Sequence, residues 1–162
     1  MALVKIDLDR RLGTIDRKIY GMFIEHLGRC IYGGMYEPGS PLSDENGFRK
    51  DVLAAARGLQ VPILRYPGGN FVSGYHWIDG VGPKEKRPVR PELAWNTTET
   101  NQFGTNEFIQ YCRELDTEPY LCANLGSGTM DEAAAWVEYC NRDDRTSYAK
   151  LRAEHGFAKP HE

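Results

Sequence analysis

The chain has 162 residues and a formal net charge of −3, with 41% hydrophobic and 27% charged residues. A chain of this length can bury about two-thirds of its unfolded surface, so it needs neither disulfides nor a metal to form a core. Its 17 glycines and 9 prolines are scattered rather than periodic, which excludes a helical bundle, a collagen and a low-complexity linker. A loop-rich α/β protein fits this composition best.

The charge distribution and the cysteine content limit the kinds of binding partner and the cellular compartment that we expect. The one dense basic run, residues 84–90, is short and interrupted by Glu85 and two prolines, so we expect no nucleic-acid partner. Residues 1–9 lack the apolar core of a signal peptide, and no segment is apolar for long enough to span a membrane. The cysteines fit neither a metal site nor a disulfide framework, and we expect buried thiols in a reducing cytoplasm: Cys30, Cys112, Cys122 and Cys140.

The first part of the chain predicts two strands and a helix. Residues 3–9 alternate apolar and polar side chains, the pattern of a strand with one wet face. The nearly continuous apolar stretch of residues 19–26 predicts a strand buried on both faces, and a Gly-rich loop follows over residues 27–46. Residues 48–60 then show helical spacing, with an apolar stripe made of Phe48, Val52, Ala55, Ala56 and Leu59.

The rest of the chain repeats this order of strand and helix. A second buried strand, ended by Pro67, precedes a long polar loop of the kind that is usually functional. Later come a helix capped by Thr105, a third buried strand, and a helix that starts with the capping box of Thr129 and Glu132. The predicted ranges are 61–66 and 119–126 for the two strands and 148–155 for a final charged helix.

Repeated strand–helix units with continuously apolar strands predict a parallel sheet covered by helices. The long loops after the strands favour a (β/α)8 TIM barrel over a Rossmann sheet, because barrel active sites are built from those loops. A full barrel takes about 250 residues, and only three βα units are legible here. The predicted fold class is therefore α/β, a partial barrel. Its third strand would be an open apolar edge, which we expect self-association or a complementary chain to cover.

Polar side chains stand where the three predicted strands end, and in a parallel barrel these ends face one crevice. Glu25 closes the first strand, where a carboxylate is either paired with Arg29 or used on a ligand. Arg65 either forms a buried ion pair or serves the site. The amides of Asn70 and Asn124 either hold turns or bind hydroxyl groups.

The remaining motifs are weaker. Trp95 lies in a polar loop, where its ring favours ligand contact over core packing. His26 and His76 lack a third ligand at metal spacing, so we expect no metal. Asp131 stands where the dinucleotide motif begun by Gly126 needs a further glycine, and neither a P-loop nor a Ser/His/Asp signature occurs. We therefore expect no cofactor.

At these residues the sequence closely resembles the N-terminal portion of the α-L-arabinofuranosidases of glycoside hydrolase family 51. Five stretches carry the resemblance, in the family's order, and together they extend over essentially the whole chain. They are YGMFIEHLGRCIYGG (20–34), LRYPGGNFVSGY (64–75), DGVGPKEKRP (79–88), LAW (93–95) and VEYCN (137–141).

The resemblance implies a retaining hydrolase that removes terminal arabinofuranosyl units from arabinan and arabinoxylan oligosaccharides. It implies that residues 17–162 are the N-terminal part of a (β/α)8 catalytic barrel. Residues 1–16 would supply a strand that joins a β-sandwich. Family assemblies are commonly oligomeric and cytoplasmic, which agrees with the expectations above.

The same resemblance assigns roles by position. Glu25, Asn70 and Trp95 are similar to family residues that bind or lie near the sugar. Arg65 resembles the arginine that holds the catalytic nucleophile in place. We place Asn124, at the close of the third strand, beside Arg65 as support for the site.

Retaining glycosidases need two carboxyl groups about 5–5.5 Å apart, and both glutamates of the family would lie beyond residue 162. We therefore expect sugar-binding side chains and no catalytic residue in this chain, which would be inactive alone. The alternatives are a non-catalytic sugar-binding or assembly module, one piece of a split enzyme, and a rebuilt site. In the rebuilt site Glu25 would pair with Asp79 or Glu37 across a self-associated barrel.

Overall fold

The computed structural model describes residues 1–161, so the last residue of the predicted domain 17–162 lies outside it. The three predicted strand–helix units occur in the predicted order, and two strands that were not predicted lie between the second strand and its helix. The helices are α1 (Lys50–Leu59), α2 (Thr105–Leu115), α3 (Met130–Asn141) and α4 (Ser147–Glu154). The strands are β1 (Met22–Phe23), β2 (Ile63–Tyr66), β3 (Arg90–Glu92), β4 (Thr97–Glu99) and β5 (Glu118–Leu121).

The central sheet is parallel, as predicted, with the strand order β1, β2, β5. Its register places Phe23, Arg65 and Tyr120 in one row across the three strands. On the opposite face, Leu64 and Tyr66 are buried against residues of α1 and α2. The sheet is thus covered by helices on one face, and β1 and β5 are its edges.

The prediction that the strands are buried on both faces is wrong for β1 and β5. Met22 is 45% exposed, Phe23 51% and Tyr120 50%. An apolar run shows that a strand can be covered on both faces, but the cover itself must come from other elements. Among residues 1–161 helices cover the face that carries Leu64 and Tyr66 of the central strand. This cover does not bury Met22 of the edge strand β1, although Met22 pairs with Leu64 on that face.

Helix positions agree with the prediction, but two details differ. In α1 the buried residue is Leu53, whereas Leu59 of the predicted stripe is 61% exposed. The second helix is capped by Gly104, whose N–H donates to Oε2 of Glu107, and Thr105 is its first residue. The capping box of α3 is confirmed on its Thr129 side, because the hydroxyl of Thr129 accepts the N–H of Glu132.

The strand expected over residues 3–9 is not formed. These residues are exposed and have no regular secondary structure, and the first ordered element is a 3-10 helix at Arg17–Tyr20. A strand needs a neighbouring strand for its N–H and C=O groups, and none of the strands formed by residues 1–161 pairs with this segment. The alternating pattern suits a strand, but within residues 1–161 this segment has no strand to pair with.

The long loop after β2 contains more structure than its sequence predicted. It holds three short 3-10 helices and the antiparallel β3–β4 hairpin. A second core packs beneath it, in which the rings of Trp77 and Trp136 stack with centroids 6.1 Å apart. The loop is therefore a folded layer over the ends of the strands.

The cysteines are less uniformly buried than expected. Burial raises the pKa of the Cys112 and Cys140 thiols to about 12, whereas Cys30 is exposed and Cys122 is half-buried. Within the described part of the chain, no helix combines the length and the apolar character needed to cross a membrane.

Candidate functional site

Glu25 is fixed by the turn that follows β2. Its carboxylate is buried, and Oε1 accepts the backbone N–H groups of Gly69 at 2.8 Å and Phe71 at 3.1 Å. Gly68 makes this approach possible: its φ is +146°, and a Cβ there would overlap the Glu25 side chain. The other oxygen, Oε2, accepts no hydrogen bond from residues 1–161. One oxygen of the carboxylate is thus anchored by the turn, and the other makes no hydrogen bond within the described residues.

Asn70 lies in the same turn, between the two N–H groups that bind Glu25. Its side chain is exposed and borders a cleft of about 880 Å³ that separates residues 70–79 from the β3–β4 hairpin. Its backbone has φ −67° and ψ −38°, a conformation open to any residue. A left-handed turn therefore does not explain the asparagine, and its amide is available to solvent.

Trp95 stands at the tip of the β3–β4 hairpin. The side chain of Glu92 holds this tip, because its carboxylate accepts the N–H groups of Ala94 at 2.8 Å and Trp95 at 2.7 Å. The indole is 36% exposed and borders a cavity of about 360 Å³ together with His26. Both Glu92 and Glu99 line this cavity and the larger cleft, so the hairpin forms a wall common to the two spaces.

A buried polar network lies behind this wall. Nδ1 of His26 is 3.0 Å from Oε2 of Glu99, but it makes no hydrogen bond with residues 1–161. Oε1 of Glu99 accepts the hydroxyl of Tyr32 at 2.5 Å and the N–H of Asn101 at 2.6 Å. Burial alone would raise the pKa of Glu99, but His26, Tyr32 and Asn101 outweigh it and hold this pKa below its usual value.

The other ring nitrogen of His26 reaches the tyrosines of the core. Nε2 lies 3.1 Å from the hydroxyl of Tyr66, which in turn donates to the carbonyl of Phe103 at 3.2 Å. Burial raises the pKa of Tyr66 and of Tyr75 above their usual values. Both phenols therefore stay neutral.

Arg65 and Asn124 make their contacts with residues other than Glu25. The guanidinium of Arg65 stacks on the ring of Phe23 at 4.8 Å, and its Nη1 is 3.5 Å from Sγ of Cys122. It is half-buried on the uncovered face of the sheet, and no carboxylate within residues 1–161 forms an ion pair with it. Asn124 is buried, and its amide donates to the carbonyl of Tyr75 at 2.9 Å. Asn124 therefore holds a loop rather than presenting its amide to a ligand.

The two histidines considered as metal ligands are engaged elsewhere. His26 contacts Glu99, and Nδ1 of His76 lies 2.9 Å from Oε1 of Glu132. No group of three or more His, Cys, Asp or Glu side chains within residues 1–161 is arranged to hold a metal ion.

Comparison with known proteins places these residues in a family. A family model described as the α-L-arabinofuranosidase 1 domain matches residues 55–162. A solved structure titled the thermostable GH51 α-L-arabinofuranosidase from Thermotoga petrophila RKU-1 superimposes with a TM-score of 0.89 at 64% identity, over 91% of this chain and 31% of that chain. The chain belongs to glycoside hydrolase family 51.

Two curated relatives are also named as arabinofuranosidases. α-L-Arabinofuranosidase C of Emericella nidulans is 63% identical over 158 residues, which are 98% of this chain and 31% of that protein. The intracellular exo-α-(1→5)-L-arabinofuranosidase of Halalkalibacterium halodurans is 53% identical over 160 residues, 99% of this chain and 32% of that protein. The chain thus spans about a third of the length of these relatives.

Sequence reasoning did not place Glu92 and Glu99 beside these spaces, nor did it link His26 to them. His26 was weighed only as a metal ligand, and the two glutamates lay inside a segment interpreted as a loop. The signal that could have found Glu92 is its position three residues before Trp95, where a carboxylate can accept backbone N–H groups of a turn. No local signal links His26 to Glu99, because 73 positions separate them.

Proposed function

We propose that this chain supplies the arabinose-recognising part of a retaining α-L-arabinofuranosidase of family 51. The substrates are terminal arabinofuranosyl residues of arabinan and arabinoxylan oligosaccharides. The observation that carries the proposal is the Glu25 carboxylate, fixed through Oε1 by Gly69 and Phe71 with Oε2 unoccupied by the protein. A fixed ionised oxygen accepts hydroxyl donors in set directions, which is the chemistry that selects one sugar stereoisomer.

Asn70 and Trp95 complete the sugar contacts in this proposal. The exposed Asn70 amide both donates and accepts, so it suits a sugar hydroxyl next to the one bound by Glu25. The partly exposed ring of Trp95 suits the apolar face of a sugar. The cleft beside Asn70 has the size of a pocket for a ligand larger than one pentose.

Arg65 and Asn124 act as support. Nε and Nη2 of Arg65 make no hydrogen bond with residues 1–161, so the guanidinium fork can hold a carboxylate that comes from outside this chain. We propose that the carboxylate held by Arg65 is the nucleophile of the family. Asn124 fixes the loop after β5 against Tyr75, on the side of the cleft that carries Asn70.

The architecture that we infer around this site is a (β/α)8 barrel, of which the three strand–helix units here form the first part. Residues 1–16 would pair with strands of a β-sandwich. Two features support a further polypeptide: the uncovered sheet face with Phe23 and Tyr120, and the apolar side chains exposed along residues 1–16. A second copy or a complementary chain would cover them. The proposed site needs no cofactor, and we place the protein in the cytoplasm.

The chemistry requires two carboxyl groups on either side of the glycosidic bond. We assign both family glutamates to sequence outside residues 1–162. Within this chain the site would therefore bind arabinose without cleaving it. A non-catalytic sugar-binding or assembly module is the second candidate function, and the anchored Glu25 favours it equally.

Isothermal titration of the chain with L-arabinose and with an arabino-oligosaccharide tests the proposal. Because one wall of the pocket is present, we expect a Kd of about 1–10 mM. Glu25→Gln should weaken binding about tenfold, since a hydrogen bond to a charged group contributes about 1.5–3 kcal/mol. Trp95→Ala should also weaken binding, because it removes the ring that faces the sugar. Glu114→Gln, in the exposed pair with Arg57, is the matched control and should bind like the wild type.

Hydrolysis of an aryl α-L-arabinofuranoside separates the catalytic alternatives. The isolated chain should release no nitrophenol above background. Supplying the rest of a family 51 barrel as a separate polypeptide should restore turnover if the fragment docks natively, whereas a pure binding module would gain none. Turnover by the isolated chain that Glu25→Gln abolishes would instead establish a rebuilt active site.

A further inference from the structure

Glu92 is a buried carboxylate at the point where the β3–β4 hairpin begins to turn. It is the last residue of β3, it is 8% exposed, and it pairs across the hairpin with Thr97. No basic side chain within residues 1–161 forms an ion pair with it, and Arg90 of the same strand pairs with Asp79. A buried carboxylate is costly unless its oxygens accept hydrogen bonds, so the contacts of Glu92 indicate its role.

Both oxygens of Glu92 are used on the hairpin tip, residues 93–96. Oε1 accepts the N–H of Ala94 at 2.8 Å, and Oε2 accepts the N–H of Trp95 at 2.7 Å. These N–H groups lie two and three positions further along the chain, as do those that a side chain accepts at a helix N-cap. Asn96, with φ +51°, then leads into β4. The carboxylate therefore caps a single tight turn, and that turn carries Trp95.

The hairpin tip presents two apolar side chains to two different spaces. Leu93 is 87% exposed and borders the larger cleft together with Asn70. Trp95 is 36% exposed and borders the smaller cavity. Glu92 lines both spaces. The conformation of this one turn therefore sets the side of the hairpin on which the Trp95 ring lies.

We propose that Glu92 is a positioning residue for sugar recognition: its carboxylate orders the hairpin tip before the ligand binds and so holds the Trp95 ring in place. This role rests on the proposed function, in which Trp95 contacts the sugar. A side chain that is ordered in advance loses less conformational entropy when the ligand binds. Glu92 thus raises the affinity through Trp95, without itself contacting the sugar.

The chemistry of the cap predicts an order among variants of Glu92. Glu92→Ala removes both acceptors, and arabinose affinity should fall about two- to tenfold, the effect of having to order a loose side chain on binding. Aspartate is a preferred residue for caps of this kind, so Glu92→Asp should restore an affinity close to that of the wild type. Glu92→Gln retains a single acceptor oxygen and should lie between these two variants.

The first measurement is made without sugar, by NMR relaxation of the 15N-labelled chain. In Glu92→Ala the Trp95 indole N–H should become mobile on the picosecond-to-nanosecond timescale, and Glu92→Asp should keep it rigid. The buried indoles of Trp77 and Trp136 are internal controls and should not change. Glu85→Ala removes an exposed carboxylate from the same long loop and should leave all three indoles as in the wild type.

The second measurement is a double-mutant cycle of arabinose affinity, followed by NMR titration at the backbone N–H groups of Gly69 and Phe71. If Glu92 acts through Trp95, Glu92→Ala should weaken binding in the wild type but not in the Trp95→Ala background. An equal loss in both backgrounds would show that Glu92 acts on the sugar or on the fold directly, and would overturn the inference. If Glu92→Ala fails to fold, Glu92→Gln, which retains the size of the side chain, replaces it in the cycle.

The sugar-free measurement separates this inference from the proposed function. If the wild type binds no arabinose but Glu92→Ala still loosens the Trp95 indole, the sugar-binding function is refuted and Glu92 remains the cap that orders Trp95. If the wild type and Glu92→Ala bind arabinose equally well, the function is retained and the positioning role is overturned. A Trp95 indole that stays rigid in Glu92→Ala would also overturn it.

Discussion

Arg87 and Glu107 form a bidentate ion pair that closes the long loop onto the start of α2. Nη1 and Nη2 of Arg87 donate to the two carboxylate oxygens of Glu107 at 3.0 and 2.9 Å, and both side chains are buried. The same guanidinium donates to the carbonyls of Gly82 and Asn101. Residues 82–101, which include the Trp95 hairpin, therefore have a fixed base.

Loss of the carboxylate from this pair should be costly. Glu107→Gln leaves the Arg87 cation buried without its anion, and we expect the free energy of unfolding to fall by about 3–5 kcal/mol. Urea unfolding followed by circular dichroism measures this change. Glu114→Gln removes the partner of Arg57 in an exposed pair and should cost less than about 1 kcal/mol. Similar losses in the two variants would contradict a special role for the buried pair.

Gly68→Ala should disturb Glu25 directly. At Gly68 the backbone has φ +146° and a Cβ would overlap the Glu25 side chain, so we expect a loss of about 1–3 kcal/mol in stability and of measurable arabinose binding. Gly69→Ala is the control, since its Cβ would lie 3.8 Å from Oε1 of Glu25, an ordinary contact. Equal stability and affinity in both variants, measured by unfolding and calorimetry, would refute this account of the turn.

His161 should make stability depend on pH. Burial, followed by the charges of Arg113 and Arg152, lowers the pKa of His161 to about 4, and its Nε2 lies 2.8 Å from Oδ1 of Asn106. The unfolded ring takes up a proton below about pH 6.5, whereas the folded ring does not until about pH 4. Stability contributed by the neutral ring is thus complete above pH 6.5 and falls as the pH drops toward 4.

The expected loss over this range is about 1–3 kcal/mol. Urea midpoints of the wild type and of His161→Gln, measured at several values between about pH 7 and pH 4, test it. The variant should lose less stability on acidification than the wild type does. Parallel pH dependences of the two proteins would show that His161 does not titrate abnormally in the folded chain.

The sequence predicted those parts of the fold whose causes are local. Thr129 caps α3 because its hydroxyl accepts an N–H three residues away, and such a contact is visible in the spacing of Thr129 and Glu132. The parallel order of β1, β2 and β5 followed from the helices between them. Strand exposure at Met22 and Tyr120 could not be predicted, because an apolar strand does not reveal which other elements cover it.

The parts of the candidate site that could be predicted also depend on local signals. Glu25 and Asn70 were found from their positions at strand ends, and one turn brings them together. The hairpin that carries Trp95 was missed because Pro91 lies in its first strand and its turn lacks an Asn-Gly pair. The link from His26 to Glu99 depends on the packing of distant segments, which spacing along the chain does not encode.

The central claim, that arabinose binds between Glu25, Asn70 and Trp95, is tested most directly by chemical-shift mapping with L-arabinose. Two tryptophans are internal controls: Trp77 and Trp136 are 3% and 4% exposed, and their indole N–H groups donate to Glu132 and Thr105. We predict shifts of the Trp95 indole and of the backbone N–H groups of Gly69 and Phe71, with the Trp77 and Trp136 indoles unmoved. Saturating sugar that leaves the Trp95, Gly69 and Phe71 signals unchanged would contradict the account.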